Sequence, residues 1–292
     1  MTSSADWAIS TSMELLISLQ ILLNQSMNTV VGPLFSPVAV LPGGLSITVI
    51  SAVLGVFLLL IFKYTSNQTA IGKVRDSVNA NLIAAWLFKD SLAVTLKSQL
   101  NVLGFSCKLL YYSIIPLLVM IVPVILVMAQ MGLWYQARPI ALSDDPVMVK
   151  VTLAKNIKRF PEVRLEPSAV FQKTKGPVRI VTQKEVLWEL KALKPGQHEL
   201  VFAIDGKKYT KQFAAGDGFT KVSLMRPGRD LAKLMLHPLE KPFSKDSPVA
   251  SITIDYPDRD SKVCGTDWWI FYFFICSMVF AFAFKPFMNV RI

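Results

Sequence analysis

Apolar residues in this chain gather into three long runs. The first, Leu45 to Phe62 (LSITVISAVLGVFLLLIF), carries no charge, opens after the turn signal Pro42-Gly43-Gly44 and stops at Lys63. The second, Leu109 to Leu133, is also free of charge and holds Pro116 and Pro123. The third, Trp268 to Phe284, opens on Trp268-Trp269-Ile270-Phe271-Tyr272, an aromatic cluster of the kind found at a membrane surface. A helix needs about 20 apolar residues to cross a hydrocarbon core of about 30 Å. The pattern predicts transmembrane helices over 45–63, 109–133 and 268–285. The two prolines each remove a backbone donor and mark kink points, which neighbours in a membrane can re-satisfy.

Two further segments have helical periodicity. Met13 to Val31 is apolar but broken by Glu14, Ser18, Gln20, Asn24, Gln25 and Asn28. Leu15, Leu16, Leu19, Leu22, Leu23, Met27 and Val30 fall on one side, which predicts an interfacial amphipathic helix within an external segment, residues 1–44, and not a fourth span. No Lys or Arg occurs before position 45, so the basic start of a cleaved signal peptide is not expected. Between the first two runs, Gln68 to Phe88 places Ile71, Val74, Val78, Leu82, Ala85 and Trp86 on one helix face. Lys89-Asp90 marks a turn, and Leu92, Leu96, Gln99, Leu100 and Leu103 mark a returning helix. Residues 64–108 are therefore expected to form a helical hairpin. Its apolar stripe is explained equally by packing between the arms and by lying on the membrane.

From 134 to 267 the period changes from helical to alternating. Val147 to Leu153 (VMVKVTL), Val178 to Val181, Val186 to Leu190, Glu199 to Ile204, Tyr209 to Phe213 and Ala250 to Tyr256 are expected strands. Asp205-Gly206 is a hairpin turn signal. Short strands at this spacing predict a sandwich. The stretch from Trp188 through Lys194-Pro195-Gly196 to Leu200 is similar to the pattern of immunoglobulin-like bacterial domains.

Composition supports a membrane assignment. Hydrophobic residues make up 52% and charged residues 17%, against about 25% charged in average globular domains, and the mean hydropathy is +0.45. The net charge of +11 is unevenly placed. Lys63, Lys73, Arg75, Lys89, Lys97 and Lys108 outnumber Asp76 and Asp90 in and beside the hairpin, and Lys285 and Arg291 mark the C-terminal tail, 286–292. By the positive-inside rule the hairpin and tail are cytoplasmic, while the N-terminus and residues 134–267 are extracytoplasmic. The external segment is basic too (Lys207, Lys208, Lys211, Lys221, Arg226, Arg229, Lys233). That excess either faces anionic lipid headgroups or forms a solvated face. No interleaving of basic and aromatic residues points to nucleic acid. An external domain without a disulfide framework suits a bacterial inner membrane facing a periplasm.

Candidate chemistry is sparse. The three cysteines (Cys107, Cys264, Cys276) have no CxxC or Cys-His spacing. Of the two histidines, His198 follows the Pro195-Gly196 turn and His237 precedes Pro238, which suits turn or surface residues and not ligands. Asp144-Asp145 and Asp255, Asp258 and Asp260 lack the spacing of a calcium loop. With no nucleophile, zinc or P-loop motif, the expectation is a non-enzyme with no metal and no cofactor.

The predicted fold class is thus an α-helical membrane protein with three transmembrane helices, an amphipathic N-terminal helix and a cytoplasmic helical hairpin. An all-β, sandwich-like extracytoplasmic domain is inserted into it. The order of parts, with Gln99-Leu100-Asn101-Val102-Leu103-Gly104-Phe105 followed by Ile115-Pro116-Leu117-Leu118-Val119-Met120-Ile121-Val122-Pro123, resembles the core of the YidC-type insertase superfamily. The three-span relatives of the ER membrane complex and archaeal type are the nearest in form. Two departures are plain: residues 45–62 lack the cation that bacterial insertases place in the first core span, and a large β domain stands between the second and third spans.

The resemblance implies a hydrated groove that lowers the cost of moving a polar flank through lipid. It implies Ser46, Thr48, Ser51, Tyr112, Ser113 and Ser277 as groove-lining groups. It also implies Lys63, Lys73, Arg75, Leu82 and Trp86 as cytoplasmic contacts. The same hydroxyls are equally the small residues through which helices pack. Two functions follow: an insertase-like or chaperone-like factor for nascent or unassembled membrane proteins, or a membrane-anchored extracytoplasmic binding or structural module. Membrane lipid and other membrane subunits are expected partners, and nucleic acid is not.

Overall fold

The computed structural model describes residues 3–38, 41, 43–155, 157, 159–259 and 268–290, and the side chains of these apart from 3–10, 30–38 and 43. The elements are α1 (Ser3–Val38), α2 (Gly43–Thr65), α3 (Gln68–Leu87), α4 (Leu92–Tyr135), β1 (Val147–Leu153), β2 (Val163–Leu165), β3 (Phe171–Ile180), β4 (Glu185–Ala192), β5 (Gly196–Ile204), β6 (Lys207–Ala215), β7 (Met225–Pro227), α5 (Leu231–Leu236), β8 (Val249–Ile254) and α6 (Trp269–Phe284). They form two compact units: Met1–Leu41 with Ile125–Ser261, and Pro42–Val124 with Lys262–Ile292. Cys264 and Asp260 lie outside the described residues.

The second unit is helical. Among the described residues two helices are long and apolar enough to cross a membrane, Gly44–Thr65 of α2, and α4, whose last residues, from Ile125, belong to the first unit. The expected boundary at 108/109 is a change of hydropathy and not a break. Gly104 is an isolated glycine inside a sustained period, so α4 continues through it for 44 residues. The third expected span is a helix of 16 residues. At 1.5 Å per residue it reaches about 24 Å, short of a 30 Å core. Pro286 follows its end and cannot extend the hydrogen-bond ladder.

One face of α6, carrying Tyr272, Phe273, Cys276 and Ser277, packs on α2, and the rest of its apolar surface is exposed. The approach is close because α2 has a glycine at the crossing. A Cβ on Gly55 would stand 2.2 Å from the Ser277 carbonyl oxygen. The Thr48 and Tyr272 hydroxyls meet at 2.7 Å across the same pair.

Asn67 caps α3, its side chain accepting from the Ala70 N–H at 3.0 Å. Of the α3 stripe, Ile71 and Val74 are buried, while Leu82 and Trp86 toward the tip are exposed. Leu92, Leu96, Leu100 and Leu103 on α4 are exposed as well. Asn101 Nδ2 donates to Asn81 Oδ1 at 3.1 Å between the arms. The stripe is thus buried at its start, half-buried at Val78 and Ala85, and exposed at Leu82 and Trp86.

The first unit holds two antiparallel sheets, β3-β4-β1-β8-β7 and β2-β5-β6. Strand β1 buries Val147, Val149, Val151 and Leu153 in strict alternation, and Val149 pairs with Trp188 on one side and Ile254 on the other. The sheets share one apolar core. Trp188 of β4 meets Phe202 of β5 at 5.5 Å between ring centroids, and Phe171 of β3 meets Phe213 of β6 at 6.4 Å. The β5–β6 hairpin turns on Asp205 and Gly206, with φ of 47° and 79°, the paired positive values of a type I′ turn.

Helix α1 belongs to this unit and extends beyond the expected 13–31. The polar positions that break its apolar run divide: Ser18 and Gln25 are exposed, while Glu14, Gln20, Asn24 and Asn28 are buried or half-buried against the β domain. Glu14 pairs with Arg229 at 2.7 Å and Lys245 at 2.9 Å. Asn24 Nδ2 donates to the Leu234 carbonyl at 2.8 Å and Asn28 Nδ2 to that of Pro238 at 2.8 Å. Gln130 Nε2 of α4 donates to Asn28 Oδ1 at 2.8 Å.

Candidate functional site

In the second unit, an open groove of about 880 Å³ lies between α2 and α4, with Pro123 in its lining. Phe57, Leu60, Ile61, Tyr64 and Thr65 of α2 form one wall, and Leu118, Val119, Val122 and Pro123 of α4 form the other. The α2 residues recur at i, i+3, i+4 and i+7, a single helical stripe. The groove is hydrocarbon along most of its length. Thr65 Oγ1 is turned back onto its own helix, donating to the Ile61 carbonyl at 2.7 Å. A surface of this kind fits an apolar segment.

The hydroxyls expected to line a groove are placed elsewhere. Ser46 and Ser51 are fully buried, and Ser51 Oγ donates to the Ile47 carbonyl at 2.6 Å. Ser277 is buried and donates to the Phe274 carbonyl at 2.9 Å. Thr48 is held by Tyr272. These groups belong to the α2–α6 face, where small side chains let the helices approach. Ser113 bonds back to the Leu109 carbonyl at 3.0 Å. Tyr112 packs edge-on against Tyr111, with centroids 5.9 Å apart. None of the six lines the groove.

Of the expected cytoplasmic contacts, Lys63 is half-buried near the end of α2, immediately before the groove residues Tyr64 and Thr65. Lys73 and Arg75 are exposed on α3. Leu82 is 51% exposed and Trp86 78% exposed, so the hairpin tip presents apolar area with cations to either side. The groove residues themselves carry no distinguishing sequence signal. The period that places Phe57, Leu60, Ile61 and Tyr64 together also runs through the rest of the span.

The first unit contains one buried polar cluster of a different kind. Lys211 is fully buried on β6 and its Nζ donates to Glu240 Oε1 at 2.5 Å, to the Ser223 carbonyl at 2.6 Å and to Ser223 Oγ at 3.0 Å. Glu240 Oε2 accepts from the Gln212 N–H at 3.1 Å, and its Oε1 accepts from Ser223 Oγ. Burial pulls the Lys211 ammonium down to about 8, against the pull of the Glu240 charge. A serine beside a depressed lysine has the composition of a nucleophile and base. Here every group is satisfied internally and Ser223 is closed off from solvent, so the cluster is a structural ion pair.

His198 contacts the Lys194 and Pro195 carbonyls at 3.2 Å in its turn. His237 caps the end of α5, and burial lowers its basicity. Among the described residues no group of three His, Cys, Asp or Glu side chains is placed to hold a metal ion. No family model, curated protein or solved structure matches the chain.

Proposed function

We propose that this chain is an integral membrane protein of insertase or chaperone type, whose α2–α4 groove receives an apolar segment of a client membrane protein. The observation that carries the reading is the groove itself. It is walled by hydrocarbon from α2 and α4 and open along its side. The resemblance to the YidC-type superfamily supports it independently, through the order of parts.

In this reading α2, α4 and α6 cross the membrane, with α6 short for a full crossing. The hairpin and the C-terminus lie in the cytoplasm, and the β domain lies outside, as in a bacterial inner membrane. A client helix entering from the cytoplasm slides its apolar face against Phe57, Leu60, Leu118 and Val122. The groove offers that face a packing surface in place of lipid tails, with no bond made or broken, so the function is non-enzymatic. Lys63, Lys73 and Arg75 are placed to meet acidic client flanks. The exposed tip around Leu82 and Trp86 is placed to make first contact with an apolar segment.

Site-specific photocrosslinking tests this directly. Probes at Leu118 in the groove and Leu82 on the hairpin should form adducts with ribosome-bound membrane chains and not with soluble ones. A probe at the exposed Val181 of the β domain should not. Adducts at Val181 alone, with silence at Leu118 and Leu82, would replace this reading with that of an anchored extracytoplasmic binding module.

A further inference from the structure

We infer that α1 is a three-sided helix that fastens the β domain to the membrane surface, with its outward leucine stripe seated in lipid hydrocarbon. The inference rests on the membrane reading above but not on the insertase reading. It explains an unusual distribution of polarity. A helix docked on a soluble domain buries its apolar stripe and exposes its polar one. Helix α1 departs from this. Its buried side presents Gln20 and Asn24 together with Ile17, and the half-buried Glu14 and Asn28 lie alongside. Its exposed side presents Leu15 (68%), Leu16 (50%), Leu19 (53%) and Leu22 (61%).

At 3.6 residues per turn, the positions separate into three faces. Glu14, Ile17, Gln20, Ile21, Asn24 and Asn28 point toward the β domain. Thr11, Ser18, Gln25 and Thr29 form an exposed polar flank on one side. Leu15, Leu16, Leu19, Leu22 and Leu23 form a stripe on the remaining side. Protein, water and hydrocarbon each have one face, which is the arrangement of a helix lying in an interface plane.

The polar ties to the β domain need no outside partner. Asn24 and Asn28 donate to the Leu234 and Pro238 carbonyls, at and just beyond the end of α5, and Glu14 bridges Arg229 and Lys245. The occupant of the leucine stripe is lipid, for two reasons. Asn28 is tied to Gln130, and Gln130 lies near the end of the charge-free run of α4. If α4 crosses the bilayer, α1 is held at the level where that crossing ends. The stripe also carries no Lys or Arg. Its affinity is therefore for acyl chains of any headgroup and not for anionic lipid in particular.

The test uses the full chain with its native cysteines replaced, reconstituted in phosphatidylcholine vesicles. A fluorophore is placed at Leu19→Cys or, as the water-flank control, at Gln25→Cys. Spin-labelled lipid tails should quench the probe at 19 several-fold more than the probe at 25, and soluble iodide should do the opposite. High salt and added phosphatidylglycerol should leave both unchanged. Equal iodide quenching at both positions would overturn the inference. So would shielding of position 19 from both quenchers together with crosslinked dimers, which would assign the stripe to a second copy. Resistance to carbonate extraction is measured on the same vesicles. If the chain extracts, the membrane reading itself has failed; if it stays and position 19 is wet, only the placement of α1 has failed.

Discussion

The crossing of α2 and α6 gives a prediction whose size can be worked out. Replacing Gly55 by Ala puts a methyl carbon 2.2 Å from the Ser277 carbonyl oxygen. A carbon–oxygen contact settles at about 3.3 Å, so the two backbones must part by roughly 1 Å. The Thr48–Tyr272 hydroxyl pair, now at 2.7 Å, would then open past hydrogen-bonding distance. Overpacking of this kind costs about 1–3 kcal/mol, and an interhelical hydrogen bond in a membrane contributes about 0.6 kcal/mol on average. Unfolding in bicelles should show Gly55→Ala destabilised by about 2 kcal/mol. Tyr272→Phe alone should cost about 0.6 kcal/mol. In the Gly55→Ala background, Tyr272→Phe should cost nothing further, because the bond is already broken. Strict additivity of the two substitutions would refute the argument, since it would mean that the helices accommodate the methyl without separating.

Further outcomes follow from the buried pair and the groove. Glu240→Ala should destabilise the β domain by about 3–5 kcal/mol by stranding the Lys211 charge, whereas the joint change Lys211→Met with Glu240→Leu should be close to neutral in thermal unfolding. Because burial holds Lys211 near 8 and its ordinary value is 10.5, the folded chain binds fewer protons than the unfolded chain between those values. The stability of wild type relative to Lys211→Met should therefore be flat below pH 8 and rise from pH 8 toward 10.5. His237, whose basicity burial lowers, acts in the acid range. Its contribution should be lost as pH falls below its ordinary 6.5, and His237→Gln should flatten that limb of a denaturation profile. In the groove, Val119→Trp should abolish crosslinking from Leu118 to client chains while leaving extraction from the membrane unchanged.

Alternation made most of the β domain readable in advance. Val147 to Leu153 was identified to the residue, and Asp205-Gly206 marked its hairpin because few other pairs accept two positive φ values. Strands β2 and β7 have three residues each and α5 has six, too few to display a period, and they were missed. Lys211 counts with the basic surface by charge alone, yet its position in the strand is legible. It stands between Tyr209 and Phe213 in the inward phase of β6, a place where a lysine requires a buried partner. The helical unit was legible in its elements and not in its faces. Within a run such as Leu45 to Phe62 every position is apolar, so hydropathy cannot separate lipid-facing, groove-facing and helix-facing sides. The serines and Thr48 drew attention as polar exceptions. Their positions instead track Gly55 and the close helix contact, which a single span does not reveal because the partner helix lies more than 200 residues away in sequence.

The pairing of α1 with α5 also sets a timetable. Asn24 and Asn28 bond to carbonyls 210 residues further along the chain. At a ribosomal pace of about 5–20 residues per second, those carbonyls emerge roughly 10–40 s after the asparagines do. For that interval α1 exists without its dock, carrying a leucine stripe and an unsatisfied amide face, while the intervening helices and strands are still being made. A slow association step linking the first-made and nearly last-made parts of the chain is thus built into its biogenesis. Truncations that end before Leu231 should stall there, with α1 open to proteases that cannot reach it in the finished molecule.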